Sequence, residues 1–81
     1  MGVFRFNIVK HLGTIAEYED TKGNKMTKEV NLVSWNGRPP KIDIREWDEN
    51  HEHMTKGVTF AEQEAEQVCM ILHNYLAERS K

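Results

Sequence analysis

Two tryptophans and a scattered set of cations are the residues of this chain best suited to hold a ligand. In KIDIREW (41–47), Lys41, Asp43, Arg45 and Trp47 share a two-residue period, so in an extended strand they project from one face while Ile42 and Ile44 project from the other. Trp35 closes the preceding run KMTKEVNLVSW, where it shares a face with Val33 and opposes Val30 and Leu32. If Ile42, Ile44, Val30 and Leu32 turn toward the core, both tryptophans and Lys41 and Arg45 turn away from it. Lys25 and Lys28 on the preceding run, Arg38 at the hairpin and Lys56 further along extend this set. Rings for bases and cations for phosphates are what an unpaired nucleic-acid strand needs, whereas a duplex hides its base faces. The competing readings are that the tryptophans are core or interface residues, and that Asp43 makes a solvated ion pair with Arg45 or Lys41.

Other chemistry is poorly served. His51, Glu52 and His53, or Cys69 and His73 at i, i+4, lack the four-ligand spacing of a structural zinc site and read as a polar loop and a helix face. There is no Ser-His-Asp order and no glycine-rich phosphate loop, and Asp43 and Glu46 fall on opposite faces of their strand. The expectation is a protein with no catalytic residues, no metal and no cofactor.

The elements that must position these residues read as four strands followed by one helix, an α+β arrangement in a single domain spanning 1–81. Phe4, Phe6 and Ile8 alternate with polar residues and open a first strand, which Ile15 and Tyr18 continue past Gly13. One long strand bent near the glycine is the preferred reading, and two short strands the alternative. DTKGNK (20–25) is turn chemistry, and Asn36-Gly37 signals a hairpin that Pro39 and Pro40 lengthen. DENHEHMT (48–55) reads as an exposed loop and KGVTF (56–60) as a short fourth strand. Thr59 and Glu62 have capping-box spacing, and a helix runs from there to about Arg79.

Eighty-one residues with 38% apolar content allow a modest core, and a net charge of −2 gives no global basic excess. One cysteine excludes an internal disulfide, and no apolar run is long enough for a membrane span, so a cytoplasmic chain is expected. The helix carries apolar residues at Ala61, Ala65, Val68, Leu72, Tyr75 and Leu76, with Cys69 and Ile71 widening the stripe beyond what one sheet can cover. Burying the surplus against a second copy predicts a homodimer, with Val68, Ile71, Leu72 and Tyr75 at its interface. The alternative is that Met70 and Ile71 complete the monomer's own core.

KIDIREW, the polar loop with Met54, then KGVTF and the acidic helix start AEQE resemble the C-terminal domain of transcriptional positive cofactor four. VSWN (33–36) resembles the hairpin of that family's short bacterial members, and the resemblance covers residues 4 to about 76. It implies a curved four-stranded sheet, dimerisation through the helices, and single-stranded DNA held in channels along the sheet. It also implies roles by position: Arg45 at the DNA surface, Lys56 before the motif glycine Gly57, Trp47 as the aromatic after IDIRE, Trp35 as a stacking aromatic near the hairpin, and Arg38 in place of a lysine. The Ser- and Lys-rich tail of the eukaryotic members has no counterpart here, so strand binding is the expected activity, near the nucleoid if the chain is bacterial. RNA binding and a dimeric protein-interaction module remain the alternatives.

Overall fold

The computed structural model describes residues 5–79, and Phe4 lies outside them. Four strands form one antiparallel sheet in the order β1-β2-β3-β4, with β1 Phe6–Glu19, β2 Lys25–Trp35, β3 Lys41–Asp48 and β4 Val58–Phe60, followed by α1 Glu62–Arg79. The first strand is continuous, as the preferred reading expected. It accommodates Gly13 through register irregularities between Ile8 and Lys10, His11 and Gly13, and Thr14 and Ala16. Each such bulge adds local twist and bends the strand.

The turns form for local reasons. The Asp20 carboxylate accepts the backbone N–H groups of Lys22 and Asn24 at 2.9 and 2.8 Å, and Gly23 takes a φ of +84°. Hydrogen bonds from Asn24, foremost the one from its backbone N–H, hold the Asp20 carboxyl below the ordinary carboxylate pKa. Asn36 and Gly37 both have positive φ, 51° and 75°, and the Arg38 N–H donates to the Trp35 carbonyl at 3.0 Å to close the β2–β3 hairpin.

The curl of the sheet decides which face is the core. Phe6 is the ladder partner of Trp35, and Thr27, eight positions back along β2, is the partner of Trp47. Eight residues of flat strand would separate those rows by about 26 Å. Yet the Phe6 ring lies 6.1 Å from Trp35 and 5.2 Å from Trp47, centroid to centroid. The strands therefore curl until the two ends meet over the face that carries Glu29, Asn31, Val33, Asp43 and Trp47, and these are the buried residues. The opposite face, with Val30, Leu32, Ile42 and Ile44, is only half-buried. This reverses the expected orientation: the tryptophan face is concave and enclosed, and the isoleucine face is convex.

The helix starts two residues later than the Thr59 capping box predicted. Ala61 occupies the cap, its N–H donating to Glu64 Oε1 at 2.9 Å and its carbonyl accepting from Ala65 N at 3.0 Å. Glu62 and Glu64 suit the positive end of the helix dipole and Arg79 the negative end. The Thr59 hydroxyl instead faces Asp43, because Thr59 pairs with Asp43 across the β3–β4 ladder. Among the described elements α1 touches only β3 and β4, and none of its described residues is buried. Ile71 is 65% exposed, and Met70, Leu72, Tyr75 and Leu76 are exposed as well, so the monomer's own core does not take the helix stripe. Among the described residues no helix is long and apolar enough to cross a membrane.

Candidate nucleic-acid interface

Arg45 is the centre of the site. Its side chain stays on the concave face and runs back along β3, where the fork of the guanidinium meets the Asp43 carboxylate in two parallel bonds of 2.7 Å. Nη1 also donates to the Thr55 carbonyl at 3.3 Å and approaches Met54 Sδ at 3.5 Å, while the guanidinium carbon stands 4.6 Å from the Trp35 ring centroid. The pair is not the solvated one the sequence suggested: the Asp43 side chain is fully buried and that of Arg45 is 13% exposed. A planar cation against an indole face is a favourable arrangement when partly desolvated.

The loop after β3 builds the other wall. Glu46 and Thr55 exchange hydrogen bonds, with Thr55 N donating to the Glu46 carbonyl at 3.0 Å and Glu46 N donating to Thr55 Oγ1 at 3.2 Å. Trp47 and Met54 form a single bridge beyond them. The chain then passes so close to Arg45 that a Cβ on Gly57 would overlap both Arg45 Cβ and the Ile44 carbonyl. The glycine of the Lys-Gly motif is required for clearance, and its φ is not positive. Lys28, Ile44, Arg45, Glu46, Thr55 and Lys56 line one open groove along this edge. Three of the cations singled out in the sequence, on β2, β3 and the loop, thus line one groove, while the Arg45 guanidinium itself turns to Asp43. The Lys28 ammonium is 4.0 Å from Glu46 and remains half exposed.

The remaining candidates spread out. Arg38 and Lys41 are exposed at the hairpin end, and Lys25 is exposed at the far end of β2 near the Asp20 turn. Trp35 is half-buried, with the Arg45 guanidinium carbon 4.6 Å and the tilted Phe6 ring 6.1 Å from its centroid. Trp47, expected to be an exposed ring, is 0% exposed: Phe6 covers it from one side and His51 from another, the latter at 5.7 Å. In this conformation Trp47 is a core residue and no base can reach it. Of the interface candidates on α1, Val68 is half-buried within the chain, whereas Ile71, Leu72 and Tyr75 are exposed.

Sequence reasoning missed the polar interior beside Trp47. The Glu29 carboxylate, 5% exposed, accepts from Thr27 Oγ1, Asn31 Nδ2 and His51 Nε2, the last at 2.8 Å. His11 Nδ1 shares the Asn31 side-chain oxygen at 2.7 Å and lies 3.4 Å from Glu29. Burial works to raise the Glu29 pKa, but the hydrogen bonds from Thr27, Asn31 and His51 outweigh it and hold the carboxyl below its ordinary value. The sequence places His51 in a polar loop, yet it reaches inward to Glu29 from a backbone with φ 56°. The available signal was the period of two that put Glu29 and Asn31 on the face of Val33. Among the described residues no group of three or more His, Cys, Asp or Glu side chains is arranged to hold a metal ion.

A family model described as Transcriptional Coactivator p15 (PC4) matches residues 22–71, the segment that contains β2, β3, the loop, β4 and the start of α1. An uncharacterized protein of Treponema pallidum (strain Nichols) is 39% identical over 61 residues, covering 75% of this chain and 67% of that protein.

Proposed function

The chain belongs to the Transcriptional Coactivator p15 (PC4) family, and from that premise we propose that it is a non-catalytic protein that binds single-stranded DNA with little base preference, as a homodimer joined through α1. The observation that carries this reading is the open groove lined by Lys28, Arg45 and Lys56, with the Trp35 ring beside the same arginine. Lys28 and Lys56 supply phosphate partners there, and the exposed Arg38 and Lys41 continue the path toward the hairpin. Trp35 is the base platform. Stacking on an indole needs an open base face, which favours unpaired strands, and every base offers one, which favours tolerance of sequence.

The dimer rests on a separate observation. Met70, Ile71, Leu72, Tyr75 and Leu76 present a continuous exposed apolar stripe on α1, and a second copy of the same helix is the simplest cover for it. The deciding experiment is a fluorescence-anisotropy titration of a labelled oligo-dT, its RNA counterpart and a duplex of equal length. Tight binding of the single strand with weak binding of the duplex supports the proposal. Preference for the RNA strand moves the function to RNA, and binding of none of the three leaves the dimer as a protein-interaction module.

A further inference from the structure

We propose that Asp43 is a positioning residue for strand binding, one that fixes the Arg45 guanidinium against Trp35 and cancels its charge, so that Arg45 orients the base platform and does not serve as a phosphate contact. The inference rests on the strand-binding reading of the groove. Asp43 lies fully buried beneath the binding edge, and a buried carboxylate at a site for a polyanion is otherwise hard to account for. Both its oxygens are directed at Arg45, at 2.7 Å each, with the Thr59 hydroxyl on Oδ2 at 3.4 Å. Thr55 holds Nη1 through its carbonyl, and Gly57 admits the loop close enough for that bond to form. The cation is thereby fixed from several sides, and the Trp35 ring lies 4.6 Å from it, with the tilted Phe6 ring 6.1 Å away. A neutral pair releases few counterions when a phosphate arrives, so affinity gained through Arg45 comes through Trp35.

Asp43→Asn, Trp35→Ala, their combination and Arg45→Lys test this on the full chain. In Asp43→Asn the uncompensated guanidinium becomes an additional phosphate partner, and the slope of log affinity against log salt for oligo-dT steepens by about 0.7. In the same background Trp35→Ala loses its effect: it weakens binding about fivefold or more when Asp43 is present and less than about twofold when Asp43 is Asn. Arg45→Lys keeps the charge pair but not the fork, so it leaves the salt slope in place and removes the Trp35 contribution. It answers the question if Asp43→Asn does not fold. An unchanged slope and an unchanged Trp35 effect in Asp43→Asn, with wild-type strand binding intact, overturn the role of Asp43 alone. Wild-type protein that binds no strand overturns the functional reading itself. The pairing has its own readout in free protein: a slowly exchanging Arg45 Nε–H in the NMR spectrum, lost in Asp43→Asn, is expected, and rapid exchange in the wild type overturns the positioning role.

Discussion

Replacing Trp47 by alanine is expected to damage the fold before it damages binding. The ring is 0% exposed, with Phe6 at 5.2 Å and an interplanar angle of 47° on one side and His51 at 5.7 Å and 35° on another. Truncating an enclosed aromatic of this kind costs about 3–5 kcal/mol, because the curled strands cannot collapse fully into the space. A chain of 81 residues has a total stability of about 4–12 kcal/mol at the usual contribution per residue, so the loss is a large share of the whole. Trp47→Phe is the informative companion. It keeps most of the buried ring and removes an indole N–H that has no hydrogen-bond partner among the described residues. It should cost less than about 1.5 kcal/mol, since the cavity is smaller and an unsatisfied donor disappears. Urea denaturation at fixed protomer concentration, followed by circular dichroism, measures both. A Trp47→Ala protein within about 1 kcal/mol of wild type that has lost strand affinity would refute the enclosure argument and return Trp47 to the binding face.

Glu29→Gln addresses the interior network. The folded Glu29 pKa lies below its ordinary value of 4.5, so its stabilising effect is present above that value and lost as pH falls through the folded pKa. Urea melts at a series of pH values should show a shallower loss of stability below about pH 4.5 in the variant, and an unchanged slope would count against the network. Gly57→Ala must displace either the Ile44 carbonyl or the loop, and is expected to cost about 1–3 kcal/mol and to weaken strand binding through Lys56; wild-type stability would show that the close approach is not needed. Leu72→Asp separates monomer from dimer: at a position 54% exposed in one chain it should cost a monomer less than about 0.5 kcal/mol, whereas in a helix-joined dimer it should yield monomers in sedimentation velocity.

The fold was legible because its signals are local. Period two marked the strands, Asn36-Gly37 marked the hairpin, and the apolar stripe marked α1. Periodicity also grouped side chains correctly, putting Lys41, Asp43, Arg45 and Trp47 on one face. It could not state which way the sheet curls, since concave and convex faces obey the same alternation. That depends on the twist added by three irregularities in β1 and on Phe6 reaching a residue eight rungs away, neither of which has a short-range signature. The same limit explains His51, whose loop looks solvated until the curl brings Glu29 beneath it. Lys28, Arg45 and Lys56 stand out singly by charge and by the family motif, but their lining one groove depends on the loop passing close to β3 at Gly57.

The central claim, that this edge of the sheet holds an unpaired strand by phosphate contacts and one stacking ring, is tested most directly by the salt dependence of oligo-dT affinity. With Arg45 paired to Asp43, the phosphate partners proposed along one strand segment are the exposed cations Lys28, Arg38, Lys41 and Lys56. At roughly −0.7 per phosphate the slope of log affinity against log salt should lie near −3, and Lys28→Ala or Lys56→Ala should each flatten it by about 0.7. A slope near zero, or equal affinity for a duplex of the same length, would contradict the account.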